Sequence, residues 1–204
     1  MSAIDATTLF NLSYGLYLLT ANDQGQDCGC IVNTVSQLTV SPLRITVFVN
    51  RQNHTHDMIL RDGRFNVSIL TTSTPFELFR HFGFQSGRDT DKFAGRDDPR
   101  SENGLRYLAG NCNGVLSAKV TDALDYGTHT LFVAEVTEAF KIGSEPSLTY
   151  DYYFKNVKPK PESKPKRGFV CKICGYFYEG DELPPDFICP LCKHGAADFE
   201  PVGF

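Results

Sequence analysis

From Leu16 to Ile142 the chain is a succession of short apolar runs, most with the two-residue alternation of strands, interrupted by turn residues and two helical stretches. Ahead of them, Asp5–Tyr14 reads as a short amphipathic helix, with Asp5 as its cap and Phe10 and Tyr14 spaced to share a face. Leu16–Ala21 is an apolar, aromatic strand and Asn22–Gly25 supplies a turn. Cys28–Val40 alternates as one long strand or a strand with a bend, ended by Ser41-Pro42. Arg44–Asn50 is rich in branched and aromatic residues, as a buried barrel strand would be, and Arg51–Asn53 is the next loop. Thr55–Arg61 predicts a helix capped by Asn53 or Thr55 and closed by Gly63. Arg64–Leu70 returns to strand, and Ser73 or Thr74 with Pro75 starts a helix through about Phe82. Gly83–Gly110 is loop-like. Gly114–Tyr126 and Thr128–Ile142 are long strands joined by a tight hairpin at Asp125–Gly127. About six strands and three helices, linked by hairpins rather than βαβ units, predict a mainly β fold, a barrel with helical excursions.

At Asn156–Arg167 the pattern gives way to N-V-K-P-K-P-E-S-K-P-K-R, whose three prolines and five Lys or Arg favour an extended, solvated spacer. That charge would also suit docking of an acidic redox partner. The spacer divides the 204 residues into a domain at 1–155 and a small module at 168–204, and 41 % apolar composition gives the larger part a core. A net charge of −4 leaves no electrostatic footprint for a nucleic acid. No apolar run is long enough to cross a bilayer, and the N-terminus lacks a charged-then-apolar signal. A cytoplasmic protein without nucleic-acid or membrane partners is expected. Cys28, Cys30 and Cys112 form an odd, reduced set. Cys28 and Cys30, one residue apart on a strand, are expected to face opposite sides and to serve packing rather than redox chemistry.

The strongest chemical signal is C-K-I-C-G-Y-F-Y-E-G-D-E-L-P-P-D-F-I-C-P-L-C, in which Cys171, Cys174, Cys189 and Cys192 form two Cys-x-x-Cys pairs. A two-residue gap lets a tight turn aim two sulfurs and its own N–H groups at one ion, and two facing turns complete a tetrahedron. Gly175 suits the left-handed turn after the first pair, and Pro190 presets φ inside the second. Tyr176, Phe177, Tyr178, Phe187 and Phe199 would form an apolar shell that excludes water. Iron fits this description, and a structural zinc ribbon shares its spacing. The segment Phe169–Val202 resembles a rubredoxin, with an abbreviated connection between the pairs as in rubrerythrins and fusion proteins, and with Lys193 where glycine is usual.

Nothing in residues 1–155 is a dinucleotide or P-loop signature. A one-electron metal centre needs a neighbour that feeds or drains electrons, and a flavin is the natural choice. The run from Gly15 to Leu70, with D-K-F at Asp91–Phe93 and T-H-T-L-F-V-A-E-V at Thr128–Val136, resembles the flavin reductase-like, FMN-binding split β-barrel family. With its tail, the chain is similar to the high-molecular-weight rubredoxins that supply flavodiiron proteins. The resemblance implies that Val32, Asn33, Thr34, Val35 and Ser36 line the isoalloxazine ring, with Gln37 and Leu38 continuing that wall. It implies that the loop with Asn50, Arg51, Asn53, His54 and Thr55 receives the ribityl phosphate at a helix start. His129 falls beside the flavin and the nicotinamide face. In Phe82–Phe93, a candidate nicotinamide entrance, Arg88 and Lys92 would meet pyrophosphate, or else pair with Asp89 and Asp91. The activity implied is NAD(P)H-dependent electron transfer from FMN to a mononuclear iron and on to a flavodiiron oxygen or nitric oxide reductase, in a homodimer. The alternatives are a flavin reductase supplying a monooxygenase, and a non-catalytic ligand-binding barrel beside a zinc knuckle. The residues do not discriminate NADH from NADPH.

Overall fold

A computed structural model describes residues 4–159 and 167–203, which fall into two compact units, Met1–Pro159 and Lys160–Phe204. The first unit is a seven-stranded sheet with wholly antiparallel pairing. Its strands are β1 (Tyr17–Asp23), β2 (Gln26–Val32), β3 (Ser36–Val40), β4 (Leu43–Asn50), β5 (Arg64–Leu70), β6 (Cys112–Asp125) and β7 (His129–Lys141), in the order β2-β1-β5-β6-β7-β4-β3. β1 and β2 are joined through Gln24 (φ 51°) and Gly25 (φ 87°), a left-handed turn whose twist matches that of the strands. β6 pairs with β5 through Lys119 and with β7 from Gly114 to Asp125, and register shifts at Ser117/Ala118 and Val120/Asp122 curl the long β6–β7 hairpin.

Helix α1 (His54–Asp62) ends at Gly63, whose φ of 74° suits a residue without Cβ. It packs Met58 and Ile59 on one core with Leu19, Val47, Val49, Phe65 and Phe132. Helix α2 (Phe76–Gly83), preceded by Pro75, covers a second core with Phe79, Phe82, Leu70, Val115 and Leu148. The chain leaves the unit through Tyr150–Val157, where Tyr153 packs at a tilt on Phe79 with ring centroids 4.6 Å apart.

Several expectations change. The N-terminal helix is a 3-10 helix, Ala6–Asn11, in which Asp5 accepts from the Thr7 N–H at 3.0 Å; the Phe10 side chain lies outside the described residues. Cys28–Val40 is neither one long strand nor a single strand with a bend but parts of two strands, because Thr34 leaves the ladder and uses its hydroxyl on the backbone of Phe48. Asn156 and Val157 end a helical turn instead of opening the spacer, and 160–166 of that spacer lies outside the described residues. The loop at 83–110 is tied down: Asp27 receives Arg100 at 2.6 Å and Arg106 at 2.7 Å.

The second unit has three short strands, β8 (Gly168–Cys171), β9 (Phe177–Glu179) and β10 (Phe199–Val202), in the order β10-β8-β9.

Candidate functional site

In the second unit the two Cys-x-x-Cys turns face each other. All four sulfurs lie within 4.8 Å of one another, with Cys171–Cys192 at 3.5 Å and Cys174–Cys189 at 3.4 Å. Sulfurs in a tetrahedron of roughly 2.3 Å metal–sulfur bonds stand about 3.8 Å apart, so the set is close to ligating geometry. Each turn closes alike: the Gly175 N–H donates to Cys171 O at 2.7 Å, and the Lys193 N–H to Cys189 O at 2.9 Å. Gly175 (φ 73°) and Lys193 (φ 63°) both take the left-handed conformation, so the lysine occupies a position suited to glycine. Burial raises the Cys171 thiol, while hydrogen bonding to Cys174, then burial, raises Cys192. N–H groups of Ile173 and Cys174 act in the opposite sense on Cys171, as does that of His194 on Cys192. Four thiolates here therefore call for a cation, and iron and zinc both suit the donor set.

Phe187 centres the apolar shell, with ring centroids 4.8 Å from Tyr178, 5.4 Å from Phe199 and 6.3 Å from Tyr176. Phe177 is not part of it. Alternation along β9 turns it away from Tyr178 and onto Gly168, where a Cβ would come within 2.5 Å of its Cζ.

In the first unit, most of the proposed binding residues gather around the end of β4. Asn50 stands opposite His129 in the β4–β7 register. Arg51 donates to Asp125 at 2.8 Å and to Gly127 O at 3.2 Å, fastening this loop to the β6–β7 turn. Asn53 caps α1 without a side-chain hydrogen bond, and Thr55 is buried with its hydroxyl 3.5 Å from Cys28 Sγ. The Nδ1 of His54 is buried with no partner, and burial followed by the charges of Arg88 and Arg61 holds its pKa down. A helix start leaves its leading N–H groups without acceptors in the helix. Together with the orphaned imidazole nitrogen, this is a donor-rich cradle suited to a phosphate monoester.

Val32 is buried at the end of β2, while Asn33, Thr34 and Val35 span the gap to β3. Thr34 Oγ1 donates to Phe48 O at 2.8 Å and accepts from Phe48 N at 3.1 Å, which brings this connection against β4 two residue pairs from Asn50 and His129. Ser36 pairs with Thr46 and Gln37 with Ile45, so β3 runs away from the cradle. Gln37 and the exposed Leu38 are about 16 Å along the strand from Asn50.

The loop Phe82–Phe93 differs from expectation. Lys92 is buried, its ammonium donating to Gly29 O at 2.9 Å and Phe82 O at 2.8 Å, and is unable to reach a ligand's pyrophosphate. Arg88 pairs with neither Asp89 nor Asp91. It donates to Asp57 at 2.6 Å and Gln52 O at 2.7 Å, clasping the cradle from above. Asp57 also meets His56 Nδ1 at 2.9 Å, and His56 Nε2 meets Thr130 Oγ1 at 2.8 Å, so a polar chain crosses from the loop to β7. Cys28 and Cys30 face the same way, not opposite ways, because residues two apart on a strand share a side; both abut Thr55 in one core. Burial pushes the Cys30 thiol up to about 11. Sequence reasoning missed the roles of Arg88, Asp57, His56 and Thr130, whose partners are remote in the chain.

The flavin reductase like domain family matches residues 9–159, and the rubrerythrin, rubredoxin-like domain family matches residues 169–200. The chain is 35 % identical to the high molecular weight rubredoxin of Moorella thermoacetica, over 98 % of this chain and 100 % of that protein. It is 37 % identical to the ferric-chelate reductase (NAD(P)H) of Archaeoglobus fulgidus, over 78 % of this chain and 95 % of that one. Among solved structures, the NADH:FAD oxidoreductase of Streptomyces globisporus shares the fold with a TM-score of 0.64, covering 73 % of this chain and 92 % of that chain at 18 % identity.

Proposed function

The chain belongs to the flavin reductase like family and carries a rubredoxin-like domain behind it, and from that premise we propose that it is an NAD(P)H-dependent FMN protein that passes electrons to its own iron and then to an acceptor protein. The observation that carries the reading is the convergence of four cysteine sulfurs within 4.8 Å on the same chain as a flavin reductase fold. A bound flavin accepts a hydride from a nicotinamide and releases electrons singly, which a four-thiolate iron can carry.

In this reading the chain's own residues bind, orient and exclude water; no side chain need act as acid or base. The start of α1, with Asn53, His54 and Thr55, holds the phosphate, while Asn50 accepts from the Gln52 N–H and Arg51 fixes the loop against the β6–β7 turn. Val32, Asn33, Thr34, Val35 and Ser36 form the wall for the ring, with Gln37 and Leu38 at its far end, and His129 sits across from Asn50. Cys171, Cys174, Cys189 and Cys192 would hold the iron, and the Phe187 cluster packs against the side of Cys171 and Cys189. Phe48, Leu124 and Tyr126 are exposed apolar side chains in the β4–β6–β7 region, and they support the proposal of a homodimer. The acceptor we propose is a flavodiiron protein reducing dioxygen or nitric oxide, as the sequence resemblance implies.

Anaerobic visible absorption before and after NADH or NADPH, with metal analysis on the same sample, tests the proposal. Flavin and ferric–thiolate bands that both bleach are expected. A flavin spectrum with stoichiometric zinc refutes the electron-transfer chain, and loss of the flavin on gel filtration points instead to a reductase that releases it.

A further inference from the structure

The metal site meets solvent along one edge. Cys171 and Cys189 are buried, whereas Cys174 and Cys192 are partly exposed, so an electron leaves most directly past the latter two. The two turns that hold these ligands, residues 171–176 and 189–194, contain Lys172, Lys193 and His194 and no carboxylate. The acidic residues of 168–204, Glu179, Asp181, Glu182, Asp186, Asp198 and Glu200, all lie outside the turns. Lys172 and Lys193 are exposed, and no ion pair among the described residues neutralises either. Asp198 meets Lys172 through the backbone, its C=O accepting from the Lys172 N–H at 2.8 Å. The Lys172 ammonium turns instead to Ala197 O at 3.3 Å. Lys193 follows Cys192 directly at φ 63°, a conformation that costs a residue with a Cβ and costs glycine nothing. A strained residue beside a functional atom suggests that its side chain is used.

We propose that Lys172 and Lys193 make the exposed edge of the metal site a positive docking surface, and that the electron acceptor meeting it presents carboxylates around its own point of electron entry. The proposal rests on the reading of the four cysteines as an electron-carrying iron site. Opposite charge at the exit edge, with negative charge elsewhere on the same unit, would orient an approaching acidic face toward Cys174 and Cys192 and turn a basic one away. The transfer itself would move one electron from Fe(II) to the acceptor, forming and breaking no bond.

The test uses full-length, isotope-labelled protein with zinc in the site and two inert paramagnetic probes, hexacyanochromate(III) and hexaamminechromium(III). The anion is expected to broaden amide resonances of residues 171–176 and 189–194, and the cation those of residues 179–186. In K172E/K193E the anion's effect on the turns should be lost, and in K193G, which removes charge and relieves strain together, it should weaken. Broadening of the turns by the cation, or by the anion equally in all variants, overturns the proposal. A second readout is oxidation of the chemically reduced iron protein by ferricyanide, whose rate should fall with added salt and drop on the order of fivefold in K172E/K193E at low ionic strength. A rate indifferent to salt and to these substitutions refutes the docking surface while leaving the iron reading intact. Failure to bind iron or to be reoxidised at all refutes the iron reading itself.

Discussion

Gly87 lies where the loop after α2 crosses the start of α1, and its replacement by alanine is a direct test of that crossing. A Cβ there would stand 2.2 Å from Cys28 Sγ, and 3.4 and 3.5 Å from Cδ2 and Cβ of His54. The imidazole contacts can be accommodated, but carbon and sulfur do not approach to that first distance without something moving. The thiol has one torsion with which to escape, and it is buried beside the Thr55 hydroxyl. Lifting the loop instead would pull on Arg88, which bonds Gln52 O and Asp57, and on Lys92, which bonds Gly29 O and Phe82 O. Gly87→Ala should therefore cost about 1–3 kcal/mol, the usual range for overpacking, and weaken FMN binding because His54 lies beneath the same contact. With Cys28→Ala already present, the added methyl should be nearly neutral, since Gly→Ala at a compatible backbone position is itself mildly favourable. The double-mutant cycle in urea, followed by far-ultraviolet circular dichroism, should give a coupling of at least about 1 kcal/mol. Equal losses from Gly87→Ala in both backgrounds would refute the contact and the loop placement built on it.

Asp27→Asn probes the tie between β2 and the same loop. Burial pushes the Asp27 carboxyl up, but hydrogen bonds from Arg100, Asn22 and Arg106 more than offset this and leave its pKa below the ordinary value. A depressed folded pKa means stability that is present at neutral pH and lost as pH falls below about 4 through the folded value. Asp27→Asn should cost about 1.5–3 kcal/mol at pH 7 and flatten that acid loss in denaturation series at several pH values. Thr34→Val removes both bonds to Phe48 and should cost about 1–2 kcal/mol, with a matching rise in FMN Kd by fluorescence titration. Cys192→Ser should abolish the ferric–thiolate bands and stoichiometric iron while anaerobic flavin bleaching by NADH continues.

The strands, their hairpins and the metal ligands were readable because their causes are local. Alternation, Gly25, Gly63 and Gly127 mark elements within a few residues, and each Cys-x-x-Cys turn is complete in itself. What escaped was settled by distant partners. No glycine or proline marks the break between β2 and β3; it arises from Thr34 bonding Phe48, 14 residues on. Lys92 looks like a surface cation, and only the close approach of Gly29, 63 residues away, makes it an internal tie. The cradle at Asn50–Thr55 was legible as a helix start, but its clasp by Arg88 was not, because Asp57 is 31 residues from it. The shared side of Cys28 and Cys30 follows from the period of a strand alone.

The outer half of β6 has a consequence for how the protein avoids its own copies in a crowded solution. Beyond Lys119 the strand loses β5, and after the Val120 N–H bonds Gly63 O at 2.8 Å, residues up to Asp125 pair with β7 alone. A bare strand margin of that kind is a template on which another chain can add and begin an aggregate. Here the margin is spoiled along its length: the ladder shifts at Val120/Asp122, the Asp122 carboxylate accepts from the Ala123 N–H at 2.8 Å, and Asp125 accepts from the Gly127 N–H at 2.7 Å. Asp122 thus occupies a donor that an incoming strand would need, and Asp125 occupies one in the turn just beyond, so two aspartates guard the hairpin tip against strand addition.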